Sequence, residues 1–418
     1  MSNLFKINKL CRLCKSSKLS KIVSIGDSPI SEKYSEKKDK KKKQQLVPLD
    51  LYLCNDCFHV QLIHVVNPDY LWSNFTFKTS RNKKIENHYE DYVNDLFNFS
   101  KKEEKNFILD IGSNDGTLLK LFKDKKIKKV LGIDPAKNVA EEANKNGIET
   151  LVGYMNKENS EKIKLEHGLA DIITANNVYA HVNDMDEITK AIKNILKPNG
   201  LFVFEVSYLL DVINKKLLGT IFHEHLSYHS VKPLVNFFEG INMEIVNIHR
   251  NDLQGGSIVC YAQHSGGPYT PTENLKKIIE LENNSKLNQK ETFVKFSDEL
   301  KSLKRKINDQ LEKLIKDKKK ISGFGSARSA TTLIKYLDIS SKINFIVDDN
   351  KDKHYKFTPG DGIEVLPTEM IYKNKQDYVI VFAWEHTKKI ISNHKKFIES
   401  GGKFISLFPD FRIIDQIK

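Results

Sequence analysis

Short apolar runs alternate with amphipathic segments through the middle of this chain. The runs are short enough for buried strands, whereas the segments between them show the three- and four-residue spacing of helices. This alternation predicts a parallel, doubly wound α/β sheet. A helix is predicted over 82–100 and another around 137–146, and the strands are predicted at 107–110, 130–134, 147–152, 170–175 and 201–206. A glycine-flanked final strand is predicted at 253–259.

The C-terminal part of the chain repeats this pattern after a charged stretch. Residues 273–319 place apolar side chains at spacings of three and four, which predicts long amphipathic helices that bridge domains or support a dimer. A glycine turn follows the next strand, so Gly323 and Gly325 are candidates to cradle a phosphate. Arg328 beside the turn suits a diphosphate or a surface salt bridge. The strands of this second unit are predicted from 321 and at 343–347, 378–382 and 404–407.

The first predicted strand of the middle sheet runs into a glycine turn and the start of a helix. From Phe107 its sequence reads FILDIGSNDGTLL. Glycine lets backbone N–H groups approach a ligand closely, and the helix start adds the positive end of its dipole. The spacing D-x-G-x-x-x-G differs from the G-x-G-x-x-G of hydride-transfer cofactors. It resembles motif I of the S-adenosylmethionine (SAM) dependent methyltransferases, which makes Asp110, Gly112 and Asn114 candidate cofactor contacts.

Two further strands end in polar residues. Asp134 ends the second strand about 20 residues after the glycine turn, where a carboxylate accepts the ribose hydroxyls of a nucleoside. Because Pro135 follows, Asp134 is alternatively a helix N-cap. Asn176 and Asn177 follow the fourth strand, at the edge where open α/β sheets bind ligands. We therefore expect Asp134, Pro135, Asn176 and Asn177 to contact SAM.

Four of the five cysteines occur as two C-x-x-C pairs. They are Cys11, Cys14, Cys54 and Cys57. Two such pairs complete a tetrahedral Zn²⁺ shell with no open position, so the predicted zinc is structural rather than catalytic. Cys260 stands alone and is interpreted as a buried apolar residue. The aromatic-rich stretch 67–77 after the second pair is interpreted as core or as a lid over a pocket.

Composition narrows the classes of partner. The 418 residues carry a formal net charge of +13, but the excess is lysine scattered along the chain. The run 37–43 is interpreted as a solvated loop rather than a nucleic-acid patch, because no aromatic residues interleave with it for base stacking. No apolar run is long enough to span a bilayer, and the N-terminus lacks a secretory signal. We expect a cytoplasmic protein with no nucleic-acid or membrane partner.

Candidate chemistry follows the fifth strand. His223, Glu224 and His225 are three adjacent titratable residues between apolar neighbours. Histidine titrates near neutrality and suits a general base, and a neighbouring carboxylate orients it and stabilises its charged form. The H-E-H order is not the H-E-x-x-H of zinc proteases. A hydrogen-bonded packing cluster is the alternative interpretation. His181 follows the fourth strand and is a further candidate.

The order of these motifs resembles one family. The paired C-x-x-C knuckles, LDIGSNDGTLL, GIDPAKNVAEEANKNGIET, ANNVYAHV, FHEHLSY and GGS follow one another across nearly the whole chain. The chain resembles the zinc-containing sugar C-methyltransferases, whose members methylate C-3 of nucleotide-linked 4-keto deoxysugars. The resemblance implies a zinc-binding domain at 1–80, a Rossmann-like SAM methyltransferase domain at 81–265, and, at 266–418, a helical linker with a second Rossmann-like domain that contributes to sugar-nucleotide binding.

The resemblance also implies a mechanism and a partner. A histidine base removes the hydrogen beside a ketone, and the carbanion takes a methyl group from SAM. His225 is the implied base and Glu224 its partner, while His223 and His181 line the pocket and hold the enolate oxygen. The implied substrate is a nucleotide-diphosphate sugar, and the chain is expected to be a monomer or a homodimer.

Four positions depart from the family's pattern. Phe222, Phe75 and Phe77 stand where tyrosine is usual, and Gln254 stands where histidine is usual. These changes remove hydroxyl and imidazole groups but keep the SAM motif and the His–Glu pair, so methyl transfer is better supported than the identity of the substrate or the C-3 position. The alternatives are an O- or N-methyltransferase that uses His225 on a heteroatom, and a zinc-knuckle nucleic-acid binder.

Overall fold

The computed structural model describes residues 4–37, 44–72, 77–100 and 106–416. The strands are, in chain order, β1 (Phe5–Ile7), β2 (Leu19–Pro29), β3 (Leu46–Cys54), β4 (Val60–Leu62), β5 (His64–Val66), β6 (Phe107–Ile111), β7 (Lys129–Asp134), β8 (Thr150–Val152), β9 (Ala170–Asn176), β10 (Leu196–Ser207), β11 (Ser227–Tyr228), β12 (Met243–Asn251), β13 (Ser257–His264), β14 (Ile321–Phe324), β15 (Ile346–Val347), β16 (Val365–Leu366), β17 (Tyr378–Val381), β18 (Lys403–Ser406) and β19 (Arg412–Ile414). The helices are α1 (Pro68–Trp72), α2 (Lys83–Ser100), α3 (Thr117–Asp124), α4 (Lys137–Lys145), α5 (Lys157–His167), α6 (Met185–Ile195), α7 (Leu209–Asn214), α8 (Val231–Gly240), α9 (Glu273–Asn284), α10 (Lys290–Lys316), α11 (Arg328–Leu337), α12 (Met370–Lys373), α13 (Thr387–Asn393) and α14 (Lys395–Glu399).

The chain divides into two compact units. The first unit comprises Met1–Ser20, Leu53–Leu210 and Leu226–Asn288, and the second comprises Lys21–Tyr52, Asp211–His225 and Gln289–Lys418. Most of the segment between the two cysteine pairs, Lys21–Tyr52, therefore belongs to the second unit, although both cysteine pairs belong to the first. The boundaries of the three domains expected from the sequence stay predictions.

The first unit is built on a seven-stranded sheet of order β12-β13-β10-β9-β6-β7-β8. Strands β10, β9, β6, β7 and β8 run parallel, which confirms the α/β sheet expected from the sequence. Strand β13 is antiparallel to both β10 and β12, so the sheet is mixed at this edge. In chain order, the two strands at this edge are joined through the turn that contains the G-G-S sequence.

The sequence reading misses β12 and places the strand after it too early. The expected strand at 253–259 begins instead as a 3-10 turn, Leu253–Gly255, and the extended strand starts only at Ser257. The reason is local, because Gln254, Gly255 and Gly256 have φ values of 51°, 85° and 153°. A run of positive φ does not fit the extended region that a strand requires. Two other strands, β8 and β15, are shorter than the apolar runs that predicted them.

Helices α2 and α3 cover one face of this sheet. Tyr92 and Leu96 from α2 and Leu119 and Phe122 from α3 are buried against Ile108 of β6 and its neighbours. Their spacings of three and four place them on one side of each helix. Burying a side chain of this size contributes about 1.5–3 kcal/mol, so this face anchors the strands whose carboxyl ends carry the candidate site.

The second unit contains a six-stranded sheet of order β16-β15-β14-β17-β18-β19. It is parallel except for β19, which is antiparallel to β18. The long helix α10 contacts α11 in this unit. The apolar stripe of α10 is buried within the chain, and it consists of Phe293, Phe296, Leu300, Leu303, Ile307 and Leu311. Among the described helices, none combines the length and the apolar character needed to cross a membrane.

Candidate active site and metal centre

The paired cysteines lie in two turns of the same geometry. Four residues after the first cysteine of each pair, a backbone N–H donates to that cysteine's carbonyl, from Lys15 to Cys11 at 3.0 Å and from Phe58 to Cys54 at 2.9 Å. Lys15 and Phe58 both have positive φ, at 60° and 64°. These left-handed residues are uncommon for side chains with a Cβ, so the shared geometry marks two equivalent knuckles rather than two ordinary loops.

The four sulfur atoms are grouped as a tetrahedral metal shell requires. The Sγ atoms of Cys11 and Cys57 lie 3.5 Å apart, as do those of Cys14 and Cys54, and all four lie within 4.8 Å of one another. Zn–S bonds of about 2.3 Å in a tetrahedron give sulfur separations of about 3.8 Å. The hydrogen bond between Cys11 and Cys57 lowers the pKa of the Cys11 thiol and raises that of Cys57, so it favours one thiolate in this pair. The donor set therefore fits a closed, structural zinc site.

The glycine turn after β6 requires its two glycines. Gly112 has a φ of 68°, and a Cβ added there would lie 2.5 Å from Cγ2 of Val178. Gly116 has a φ of 78° and is the N-cap of α3. The N–H of Gly112 donates to the carbonyl of Ile133 at 2.8 Å, which ties the turn to β7. The turn is thus fixed against the neighbouring strand at the edge where ligands of such sheets bind.

Asp134 lies at the end of β7 and is buried. Its Oδ2 accepts the N–H of Asn114 at 2.9 Å, and its Oδ1 accepts the N–H of Ala136 at 2.8 Å. It is not the N-cap of α4, because that position is Ala136. Burial raises the pKa of its carboxyl, and the two backbone donors oppose the shift. A carboxylate has further lone pairs beyond these two bonds, so the ribose role stays open to it and remains a prediction.

Asp110 and Asn176 provide buried polar groups at the same sheet edge. Oδ1 of Asp110 accepts a hydrogen bond from Oγ1 of Thr174 at 2.6 Å. Burial raises the pKa of Asp110 to about 7, although Thr174 opposes the shift. Both amide atoms of Asn176 are buried and make no hydrogen bond of good geometry among the described residues, although the amide lies close to the hydroxyl of Tyr92. Buried polar groups normally have partners, so an unsatisfied amide here fits a bound polar ligand. Next to it, Asn177 adopts a left-handed φ of 57°.

Asn114 uses its side chain to hold the segment before α2. Its Oδ1 accepts the N–H of Thr79 at 3.0 Å, and its Nδ2 donates to the carbonyl of Phe77 at 3.1 Å. The side chain of Asn114 thus positions the aromatic segment, and any contact with SAM through it stays a prediction. Phe75 lies outside the described residues, as do residues 38–43 of the lysine-rich run.

The H-E-H residues are all buried, and their contacts differ. Nδ1 of His225 donates to the carbonyl of Thr220 at 2.7 Å, and Nε2 of His223 donates to the carbonyl of Val47 at 3.0 Å. A carbonyl only accepts, so these bonds place the proton of neutral His225 on Nδ1 and its lone pair on Nε2. Glu224 forms an ion pair with Arg328 at 2.7 Å.

The remaining candidates have aromatic or amide contacts. His181 packs edge-on against Trp72 at 5.1 Å, and Phe222 lies over the ring of His225 at 4.0 Å. Oε1 of Gln254 accepts from Ser207 at 3.3 Å. The phenylalanine that replaces the usual tyrosine is therefore in contact with the candidate base. Within the described residues of α1, no side chain is fully buried, which does not favour the core interpretation of residues 68–72.

The structure places the candidates in both units. The SAM candidates, the four cysteines and His181 belong to the first unit, whereas His223, Glu224 and His225 belong to the second. Sequence reasoning missed that Arg328, over a hundred residues away, pairs with Glu224. It also left unassigned Glu205, which is fully buried and bonded by His88 at 2.7 Å. A carboxylate in an apolar strand is a signal that the sequence does contain.

Three family models match successive parts of this chain. Residues 11–72 match a family described as "Putative zinc binding domain", residues 81–248 a "Methyltransferase domain", and residues 252–409 a "C-methyltransferase C-terminal domain". The C-methyltransferase NovU of Streptomyces niveus is 30% identical over 405 residues, which covers 97% of this chain and 96% of that protein. This chain belongs to the zinc-containing, SAM-dependent C-methyltransferases. Its cofactors are SAM and zinc.

Solved structures match a smaller part of this C-methyltransferase. A SAM-dependent methyltransferase from Anabaena variabilis is 18% identical and covers 42% of this chain and 84% of its own, with a TM-score of 0.34. A SAM-dependent methyltransferase from Clostridium acetobutylicum is 13% identical and covers 43% of this chain and 91% of its own, with a TM-score of 0.35.

Proposed function

We propose that this C-methyltransferase methylates a carbon beside the ketone of a nucleotide-linked keto-deoxysugar, with His225 as the general base. The class of reaction follows from the family, and the substrate is supported by the ordered motifs that resemble the sugar C-methyltransferases. The single observation that carries the mechanism is the hydrogen bond from Nδ1 of His225 to the carbonyl of Thr220 at 2.7 Å.

That hydrogen bond sets the chemistry of the ring. Since Nδ1 carries the proton, Nε2 holds the lone pair that a base needs. Carbon is a poor nucleophile until its proton leaves, and a neighbouring ketone makes that proton acidic. Nε2 takes the proton, and the electron pair of the C–H bond passes into an enolate. The enolate carbon would then take the methyl group of bound SAM as the bond between that methyl group and the sulfur breaks, and S-adenosylhomocysteine would leave with the electron pair of that bond. General-base catalysis of this kind contributes about 10²–10⁴-fold in rate.

Glu224 directly precedes His225 in the sequence and carries a carboxyl group. Burial raises the pKa of its carboxyl above the usual value, and the charge of Arg328 opposes this shift. Arg328 is half-buried, and the carboxylates of Glu224 and Glu32 raise its pKa against the desolvation that lowers it. We propose that this ion pair holds Glu224 ionised, so that a carboxylate stabilises the imidazolium after proton transfer. Arg328 then serves Glu224 through its Nε, and the diphosphate role stays a prediction.

The SAM-binding role is assigned to the sheet edge of the first unit. When bound, SAM supplies an electrophilic methyl group on a positively charged sulfur. Asp134 is proposed to accept the ribose hydroxyls, and the glycine turn with Asp110 and Asn176 to face the methionine portion. Two buried carboxylates, Asp110 and Asp134, complement a cationic ligand, and the unsatisfied amide of Asn176 offers both a donor and an acceptor.

The test is turnover with a panel of nucleotide-linked keto-deoxysugars and SAM carrying a ¹³C-methyl group. A new methyl on carbon has a ¹³C shift well separated from that of an O- or N-methyl. A carbon-bound methyl on one of these sugars is expected. Methylation confined to oxygen or nitrogen would contradict the proposed reaction, and labelled product from none of the panel would contradict the substrate class.

His225→Ala tests the base separately. We expect turnover to fall by about 10²–10⁴-fold while SAM affinity stays near that of the wild type. Exchange of the hydrogen beside the ketone with D₂O, followed without SAM, is expected to fall in parallel if deprotonation is reversible. Glu224→Gln is expected to cost less, and His167→Ala, which removes a histidine at the end of α5, serves as the control. Wild-type turnover in His225→Ala would move the base to His181 or His223.

A further inference from the structure

Arg12 is a buried cation inside the first cysteine knuckle. It follows Cys11 directly, and only 1% of its surface is exposed. Arginine is almost never buried to this extent unless its N–H groups are paired. Burial accordingly lowers the pKa of Arg12 to about 10. A zinc knuckle needs no buried guanidinium to hold its metal, so the contacts of this side chain indicate what else the knuckle holds.

The guanidinium of Arg12 bonds three separate segments of the first unit. Nη1 donates to the carbonyl of Leu62 at 2.5 Å and to the carbonyl of Leu226 at 3.3 Å. Nη2 donates to Oδ1 of Asn183 at 3.3 Å. The backbone N–H of Arg12 donates to Oε1 of Gln61 at 2.9 Å, which fixes the start of the side chain. The rigid guanidinium fork thus joins a strand of the zinc-binding region to two other segments.

Those two segments both adjoin candidate histidines. Leu226 comes directly after His225 in the chain, and Asn183 lies two residues after His181. The N–H of Leu226 donates to the carbonyl of Ala180 at 2.7 Å, and its carbonyl also accepts the N–H of Leu62 at 2.9 Å. Leu226, which follows the proposed base, is therefore bonded through its N–H to the segment that contains Asn183 and through its carbonyl to the strand that contains Leu62. These are the other two segments that Arg12 contacts. Beyond Leu226, β11 pairs with β4, so the contact continues as a short antiparallel ladder.

We propose that Arg12 is a positioning residue that couples the zinc knuckle to the chain leaving His225. Arg12 does not touch the reacting atoms; it fixes the carbonyl of Leu226, one peptide bond from the base. The geometry of a catalytic group is demanding, and a displacement of about 1 Å costs on the order of 10²-fold in rate. The proposal rests on the role of His225 given above, and it gives the knuckle a part in catalysis beyond holding its own fold.

The test compares Arg12→Met with Lys15→Met. Lys15 is a cation of the same knuckle. Its Nζ pairs with Asp184 and Asp186 near the surface and donates to the backbone carbonyl of Arg12 at 3.3 Å, but it has no bond to the guanidinium's partners Leu62, Leu226 and Asn183. Four quantities are measured on the full chain: zinc per chain, SAM affinity, kcat and KM with the substrate found in the panel, and hydrogen–deuterium exchange of the peptide 226–229.

For Arg12→Met we expect one zinc per chain and SAM affinity within about twofold of the wild type. Exchange at 226–229 is expected to speed up, and kcat to fall about 10- to 100-fold with little change in KM. Lys15→Met is expected to match the wild type in all four quantities. Arg12→Lys keeps the charge but loses the planar fork, so it is expected to restore part of kcat.

Unchanged exchange at 226–229 in Arg12→Met overturns the proposal, and so does faster exchange with an unchanged kcat. If Arg12→Met is isolated without zinc, Arg12→Lys and Asn183→Ala carry the same comparison, because each leaves one part of the network in place. Failure of the base assignment is distinguishable, since it shows as full turnover in His225→Ala whatever Arg12 does.

Discussion

Each unit contains a strand that leads through a glycine turn into a helix. In each unit an aspartate at the end of the following strand accepts two backbone hydrogen bonds, and the two sets of bonds match. Asp134 accepts the N–H of Asn114 at 2.9 Å and that of Ala136 at 2.8 Å. Asp348 accepts the N–H of Ser326 at 2.7 Å and that of Asn350 at 2.8 Å. One oxygen thus binds the glycine turn and the other binds the residue two positions on. The two turns therefore share the same pattern of hydrogen bonds between the aspartate and the backbone.

The two turns differ in the charges around them. At the turn of the second unit, Lys353 donates to the carbonyl of Ser326 at 2.7 Å and pairs with Glu32 at 3.2 Å. At the turn of the first unit, Asp110 and Asp134 are buried, and within the residues described no lysine or arginine pairs with either. The first turn thus has buried carboxyl groups with no paired cation among the residues described. At the second turn, Lys353 supplies a cation that pairs with the carboxylate of Glu32.

This difference shows why a strand–turn–helix motif alone does not identify a ligand. The first turn suits a cationic ligand such as SAM, because its charge compensates buried carboxylates that otherwise cost stability. The backbone bonds do not distinguish the two turns, since Gly325 donates to Val347 and Ser326 to Asp348 just as Gly112 donates to Ile133 and Asn114 to Asp134. In the second turn the N–H of Gly323 also donates, to the carbonyl of Phe345 at 2.9 Å, so the N–H groups of Gly323 and Gly325 already have acceptors.

The largest effect is expected from removing the cation of the second turn. Lys353→Met removes the cation that pairs with the half-buried Glu32, and breaking a buried pair costs up to about 3–5 kcal/mol of unfolding free energy. Lys276→Met, which removes an exposed ion pair with Glu273, is the control and is expected to be near neutral. Chemical denaturation measures both. Loss of SAM affinity in Lys353→Met, with the fold intact, would contradict the separation of the two sites.

Gly112→Ala and Gly325→Ala form a matched pair. Both glycines have positive φ, at 68° and 91°, and in both an added Cβ would lie 2.5 Å from a neighbouring carbon. Left-handed strain and overpacking together cost about 2–4 kcal/mol in each unit. Calorimetric titration is expected to show weaker SAM binding in Gly112→Ala only, while thermal melts show a lower Tm in both. Equal losses of SAM affinity in the two variants would contradict the assignment of SAM to the first turn alone.

Asp134→Ala and Asp348→Ala compare the two acids directly. Charge-assisted hydrogen bonds contribute about 1.5–3 kcal/mol each. We expect Asp134→Ala to weaken SAM binding by about 2–3 kcal/mol, or roughly 30- to 150-fold in Kd. Asp348→Ala is expected to leave the Kd unchanged. An unchanged Kd in Asp134→Ala would remove its assignment to the ribose.

The smallest effect is a pH dependence from Asp110. Burial raises its pKa in the folded protein from 3.8 to about 7. Between these values the folded state holds a proton that the unfolded state has released, so this group makes the SAM-free protein less stable as pH rises through that range. A cationic ligand favours the ionised form, and SAM affinity is expected to rise about tenfold, or ~1.4 kcal/mol, from pH 6 to pH 8.

Asp110→Asn is the control for that pH dependence. It keeps the shape of the side chain and cannot ionise, so both the loss of stability and the gain in SAM affinity with pH are expected to flatten. Titrations at pH 6, 7 and 8 suffice. A pH dependence of SAM affinity that survives in Asp110→Asn would assign the titration to another group, with Asp134 next because burial raises its pKa as well.

The features that the sequence determined are those encoded over short distances. The strand and glycine turn from Phe107, the helix α2 and the two C-x-x-C knuckles follow from local spacing, from the positive φ that glycine allows and from the reach of two thiols to one metal. The run of motifs also identified the family. Each of these depends on residues within about one turn of one another, so no distant contact is needed to form it.

Only the tertiary structure decided which distant groups meet. It pairs Glu224 with Arg328, buries Arg12 against Leu226, and inserts β13 antiparallel between β10 and β12. It also assigns the segment Lys21–Tyr52 to the second unit. The spacing of apolar residues along the chain does not predict these contacts. A charge is buried favourably only where the fold brings its partner beside it. The charge around each glycine turn, and hence its ligand, is a property of the folded chain.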